Sequence, residues 1–391
     1  MLSDATIGFG RRVLAALLGL DRLYRAESGD PDGLAVVKLG AAAEFPPAAF
    51  ESYEDARDGF ARLKQEAASL PEADRRTYYD ELGGSTLAFI AWRRGGLPLA
   101  EQISGFLHVP AQPASDLELE QLRAEMASLL DRLGYVGPLA AQCAAWEERQ
   151  RVPKERVPEV MQSLLDTAWE RTNQRLLTIP APKSDGMRVV PVSGVAFNAR
   201  CDYLKRRVEL NVDPVLTRHG LKHLAVHECY PGHYVQFKLR ETLARDAAAP
   251  ADVLLSVVNS ASSCVFEGIG DAGIAMLEWE ENDDDRMQAL MNRYRAGIGT
   301  GAAWRLHALG WPAERVADWL ASQSLIGGPG WVANRMRFIA APARAVLIWS
   351  YWWGEPVVLR AWRRVAPERR PEFVRYLYGR MHSNSSVGMF A

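Results

Sequence analysis

Apolar residues recur at three- and four-residue spacing from Phe9 to about Leu177, with Pro and Gly clusters between the runs, which predicts a succession of amphipathic helices. In Leu117–Leu133 the stripe Leu119, Leu122, Met126, Leu129 and Leu130 shares one face, and Gly134 supplies the stop. Another helix is predicted after Arg156, with Pro158 in its first turn and Val160, Leu164, Leu165 and Ala168 inward. Between Pro180 and Pro214 the period changes. Val208, Leu210 and Val212 alternate with Glu209 and Asn211, and Val189, Val190, Val192, Val195 and Phe197 precede them around Pro191 and Gly194. Two or three short strands are predicted there, one of them on a sheet edge because Pro191 cannot donate to a ladder. Helices resume near Thr217 and run almost to the end. The expected fold is mainly α with a small antiparallel β-sheet, organised as a helical portion over 1–180, serving as scaffold or cleft wall, and a portion over 181–391 that carries the sheet and the chemistry.

Composition narrows the function. The 391 residues are 48% hydrophobic and 24% charged, enough apolar material for a sizeable core and incompatible with disorder or a fibre. Lys and Arg number 46 against 48 Asp and Glu, a formal charge of -2, so no basic field favours nucleic acid or a membrane surface. Cys143, Cys201, Cys229 and Cys264 stand far apart without CxxC spacing, which argues against disulfides and a thiolate metal site and for a reducing, cytoplasmic setting. Val13–Leu20 after Arg11 and Arg12 imitates a secretion signal, but Asp21 and Arg22 follow at once with no small-residue cleavage site, and the run is too short to span a bilayer; an amphipathic helix is predicted. The acids Glu278, Glu280, Glu281 and Asp283–Asp285 predict a solvated loop or helix start, lacking calcium-loop spacing. Nine of the 12 tryptophans fall at or after Trp279 and are assigned to packing, as is Gly297–Gly301, which has neither the strand nor the lysine of a phosphate loop.

Chemistry concentrates in the histidines. Of the seven, His219, His223, His227 and His233 lie within 15 residues, around His227-Glu228-Cys229-Tyr230-Pro231-Gly232-His233. Two imidazoles can hold zinc while leaving it Lewis-acidic, and a carboxylate beside them can take a proton from water. In the HExxH zinc helix the histidines are four apart; His227 and His233 are six apart, roughly 120° out of register and about 9 Å along an ideal helix. Pro231 and Gly232 are what a bend would need, proline disfavouring helix at Tyr230 and glycine permitting positive φ before His233. His223 and His227, four apart, share a face without distortion, so on spacing alone either pair could hold the ion. His219 and His382 are expected at the surface or at helix caps, and Cys229 as a small buried group.

The stretch His227–Gln236, HECYPGHYVQ, resembles the HExxPGHHLQ signature of the bacterial domain-of-unknown-function 885 family, regarded as zinc-dependent, gluzincin-like peptidases. Tyr234 replaces the second of that signature's paired histidines. The family's later EGWALYxE segment, which supplies a glutamate ligand, is matched by Glu267 and Gly268, with Ile269 at the aromatic position and Ile274 at the final acid. Its DTGLHxxGW stretch resembles Ala303–Trp311, keeping His307, Gly310 and Trp311 but not the acid. The late RYxxxPGQAxxYxxG segment is echoed by Arg337, Phe338, Pro342 and Tyr351–Gly354 with about three extra residues inside it. The likeness covers residues 195–391.

This resemblance implies a gluzincin-like architecture, one zinc ion held by His227, His233 and Glu267, and Glu228 as general base; His223 would then sit behind the ligands. His307, Arg337 and Tyr351 could orient substrate or stabilise an oxyanion, or equally satisfy the interior. The expected activity is zinc-dependent hydrolysis of a peptide or amide bond, with the strand Val208–Val212 pairing an extended substrate. Departures at Ile269, Ile274 and Ala303 leave two further readings open, a specialised small-molecule amide hydrolase or lyase on the same metal site, and a non-catalytic helical binding protein. Nothing in the sequence sets the oligomeric state.

Overall fold

The computed structural model describes residues 2–29, 33–180 and 185–390. The chain is mainly helical, 67% of it helix. The longer helices are α1 (Asp4–Ser28), α2 (Tyr53–Ala67), α3 (Ala73–Gly95), α4 (Leu99–Leu107), α5 (Asp116–Arg132), α6 (Leu139–Gln150), α7 (Val157–Arg175), α8 (Arg218–Glu228), α9 (His233–Arg245), α10 (Ser263–Asp271), α11 (Asp283–His307), α12 (Ala313–Gln323), α13 (Gly328–Ala340), α14 (Ile348–Arg364) and α15 (Arg370–Tyr378). The strands are β1 (Ala35–Lys38), β2 (Arg188–Val192), β3 (Ala199–Asp202), β4 (Arg207–Asn211) and β5 (Leu255–Val257). None of the described helices is long and apolar enough to cross a membrane.

The chain packs as two compact units, each assembled from separated stretches: one from the residues up to Ala111, Val235–Gly268 and Trp353 onward, the other from Gln112–Tyr234 and Ile269–Trp352. The division expected at 180/181 falls within the second unit.

In the first unit α1 presents Leu14, Leu17 and Leu20 to the core, so the signal-like run is the buried stripe of a helix capped by the Ser3 side chain. Asp21, the charge that ends that run, is itself buried and accepts from the Leu34 and Ala35 amides at 2.8 and 3.0 Å and from Arg25 at 2.9 Å. It thereby anchors β1, which pairs antiparallel with β5. Phe9 meets Tyr79 edge to face at 4.8 Å.

In the second unit α5 has the predicted stripe, with Leu119, Met126, Leu129 and Leu130 buried, a capping box between Ser115 and Glu118, and Gly134 at φ 84° just past its end. A Cβ on Gly297 of α11 would come 2.8 Å from Leu119, so glycine there serves close helix packing. The acidic stretch is a helix start, with the Asn282 side chain capping the Asp285 amide. The expected small antiparallel sheet is there in β3 and β4, and β2 is added to it in parallel on the other side of β4, giving the order β2-β4-β3. Pro191 lies on an edge strand as its missing donor requires. β4, with its Val208 and Leu210 fully buried, is paired on both sides, so among the described residues the edge strands are β2 and β3, not Val208–Val212.

Candidate metal centre

Helix α8 starts at Thr217, whose Oγ1 accepts from the Gly220 amide at 2.9 Å. Its outer face is tied down by Asp285, which takes hydrogen bonds from His219 Nδ1 at 2.6 Å and Lys222 Nζ at 2.7 Å. Burial would raise the Asp285 carboxyl, but those two bonds prevail and hold it down at about 2. His219 is thus an interior partner, not a surface group.

The helix stops at Glu228 and α9 begins at His233. Between them Cys229 leaves helical geometry at φ -125° and ψ -79°, and the Tyr230–Pro231 peptide is cis. The break comes where the Pro-Gly step predicts it, but glycine is needed for a different reason. Gly232 does not adopt positive φ; a Cβ there would fall 1.8 Å from the His227 carbonyl oxygen, so only glycine lets the chain double back over the end of α8. His227 and His233, six apart in sequence, come to a ring separation of 4.6 Å. Tyr234, where the signature has a second histidine, turns away to stack on Tyr203 and Tyr230 at 5.8 and 5.5 Å and donates to the Asp185 carbonyl. Burial pushes the Cys229 thiol well above its ordinary range, as befits a packed group.

Among the described residues two sets have donor atoms within 4.8 Å of one another: His227, His233 and Glu267, all buried, and His223, His227 and Asp271. Asp271 relates them. Its Oδ1 accepts from His227 Nδ1 at 2.8 Å and stands 3.4 Å from His223 Nε2. A carboxylate only accepts, so Nδ1 of His227 carries a proton, and in the neutral ring that leaves the lone pair on Nε2. Helix α10 reaches His227 through Asp271, and Glu267 lies one turn earlier on the same helix. The contact with His227 is tight, since a Cβ on Gly270 would lie 2.7 Å from His227 Nδ1. Burial pushes His223 down to about 4, against the pull of Asp271, so at neutral pH its ring is uncharged.

Glu228, 6% exposed, accepts from the Cys201 amide at 2.8 Å through Oε2. Asn198, just before β3, accepts from the Asn211 amide, and by the alternation of an antiparallel pair the Cys201 amide then points outward from the edge, to this carboxylate. Asp271 is the residue that sequence reasoning missed; its signal was the four-residue spacing from Glu267 on a helix.

The remaining candidates have other partners. His307 donates from Nε2 to the Ile339 carbonyl at 2.6 Å, exposed Arg337 donates to the Gly194 carbonyl at 3.4 Å, and Tyr351 packs against Phe338 at 6.4 Å. These contacts tie helix ends and loops of the second unit together. His382, expected at the surface or at a helix cap, is buried, with Nε2 donating to the Tyr376 carbonyl in the last turn of α15 at 2.9 Å.

No protein-family model matches the chain, and no curated protein does. Among solved structures it is similar to one described as a "putative lipoprotein" from Colwellia psychrerythraea, at 14% identity and a TM-score of 0.55, over 87% of this chain and 66% of that one. It is also similar to a "putative lipoprotein of unknown function" from Shewanella oneidensis, at 14% identity and a TM-score of 0.51, over 86% of this chain and 70% of the other. At such identity the likeness is one of fold.

Proposed function

We propose that the protein is a zinc-dependent metallohydrolase of gluzincin-like architecture that cleaves a peptide or amide bond. The observation that carries the reading is the convergence of His227, His233 and Glu267, three buried neutral or anionic donors within 4.8 Å of one another, with the far nitrogen of His227 held by Asp271. The donor set suits zinc. Ligand atoms of a tetrahedral site with bonds of about 2.1 Å stand about 3.4 Å apart, within reach of these side chains by small rotations. His223 Nε2 stands 3.4 Å from Asp271 Oδ1, the oxygen that accepts from His227 Nδ1, which favours a supporting role over that of a ligand.

Zinc, when bound, supplies a Lewis acid that makes water nucleophilic near neutral pH and polarises a carbonyl. The chain supplies the rest. Glu228 is held by the Cys201 amide at Oε2, which leaves Oε1 to accept the proton of the attacking water and return it to the departing amine. Asp271 keeps the His227 tautomer and ring plane fixed throughout. An extended substrate has the edge of β3 beside that carboxylate to pair with, apart from the Cys201 amide that the carboxylate takes.

Zinc analysis together with Glu228→Gln tests the reading. The expected outcome is one zinc per chain in both proteins and a loss of about 10²- to 10⁴-fold in turnover of a peptide or amide in the variant. Unchanged turnover removes Glu228 as base; efficient turnover of small amides but not peptides moves the reading to the specialised hydrolase; a protein that takes up no zinc overturns it.

A further inference from the structure

Arg240, two turns into α9, is 2% exposed. Burial pulls its guanidinium down to about 10 while Tyr78, Tyr378 and Asp252 pull the other way, so it remains a cation at neutral pH. A buried guanidinium carries five donors and is ordinarily paired with a carboxylate. This one is not. Asp252, the carboxylate nearby, accepts from Tyr79 at 2.8 Å through Oδ1, and neither its Oδ2 nor Nε or Nη1 of Arg240 has a hydrogen-bond partner among the described residues. The bond Arg240 does make is from Nη2 to Gln236 Oε1 at 3.0 Å, with its Cζ 5.4 Å over the Phe266 ring. Gln236 passes the contact on, donating from Nε2 to the Phe266 carbonyl at 3.1 Å. A cation donating to an amide polarises it and strengthens the bond that the amide itself donates. The relay thus runs from one turn beyond His233 to the residue before Glu267, and both ends of it adjoin candidate ligands.

We propose that Arg240 is a positioning residue for the metal site, acting through Gln236 to fix the Phe266 carbonyl and so the turn of α10 that presents Glu267. The inference rests on the metal reading above. An under-satisfied buried cation costs stability wherever it sits, and presenting Glu267 gives this one a reason to be there.

Zinc dissociation constants, measured by competition with a chromophoric chelator, and melting curves of the metal-free proteins test it in Arg240→Met, Gln236→Leu and the double variant. The expected result is a zinc Kd raised about 10- to 100-fold in each single variant and no further in the double, because both break one relay. Metal-free Arg240→Met should melt no lower than the parent, since an apolar side chain of similar length replaces an unpaired charge. Parental zinc affinity in either single variant, or losses that add in the double, overturns the proposal while leaving the metal reading intact. Should Arg240→Met not fold, Gln236→Leu still decides, because it cuts the same relay. A parent protein that binds no zinc overturns both.

Discussion

Asp271 shows how much a single carboxylate decides. Either nitrogen of a neutral imidazole can carry the proton until one of them is given an acceptor, and the 2.8 Å bond from His227 Nδ1 to Asp271 holds the proton there. Asp271→Asn keeps the shape and removes the charge; the expected outcome is a zinc affinity about 10- to 100-fold weaker by chelator competition, with the far-ultraviolet circular dichroism unchanged. His223→Gln, on the far side of that carboxylate, should leave one zinc per chain. At the other end of the chain His382 is held neutral. Burial drives its pKa well below 6.5, helped by Arg75, whose Nη2 stands 3.5 Å from His382 Nδ1. The unfolded chain therefore binds a proton that the folded one refuses. Its share of stability is fully present above about pH 6.5 and is lost as the pH falls from there toward the folded pKa. Asp252, raised by burial to about 6, acts in the opposite sense over the same window, so the histidine must be isolated by substitution. Chemical denaturation at pH 7.5 and 5.5 should show a smaller acid-induced loss in His382→Gln than in the parent.

At the scale of elements, the turn between α8 and α9 does what no single helix could. Six residues of continuous helix would leave His227 and His233 about 9 Å apart along the axis, whereas the break brings the rings to 4.6 Å. The space for it comes from Gly232, and a methyl group there meets backbone that cannot rotate away. Gly232→Ala should destabilise the protein by about 1–3 kcal/mol or more and abolish stoichiometric zinc, seen as a lower melting temperature and metal content together. The proline and glycine were legible as a bend, although positive φ was the wrong reason for the glycine; a contact distance between non-adjacent residues is not written in local preference. The sheet repeats the lesson. Alternation located the strands and Pro191 put one on an edge, but pairing order is a long-range choice, and it made β4 central, with β2 its parallel and β3 its antiparallel neighbour.

Across the whole molecule, an ion held as proposed by side chains from α8, α9 and α10 would bind the folded state and find no comparable site in the unfolded chain. Free zinc a thousandfold above its dissociation constant would add about 4 kcal/mol, so a chelator should lower the melting temperature by several degrees and zinc should restore it. A melting curve indifferent to both would deny the site. The distribution of functions along the sequence was only partly visible. Periodicity and caps are local, so helices such as α5 and α7, their buried stripes and the bend within the His-Glu-Pro-Gly-His stretch could be read without coordinates, because each rests on residues a few positions apart. The likeness in fold to two bacterial proteins at 14% identity adds no residue to that list. What only the tertiary structure decided lies in pairs far apart in sequence: Asp271 on His227, the Cys201 amide on Glu228, Arg240 behind Gln236, and the structural partners of His307 and Arg337. Such contacts are chosen by which faces bury together, and burial is a property of the assembled chain, not of any stretch of it.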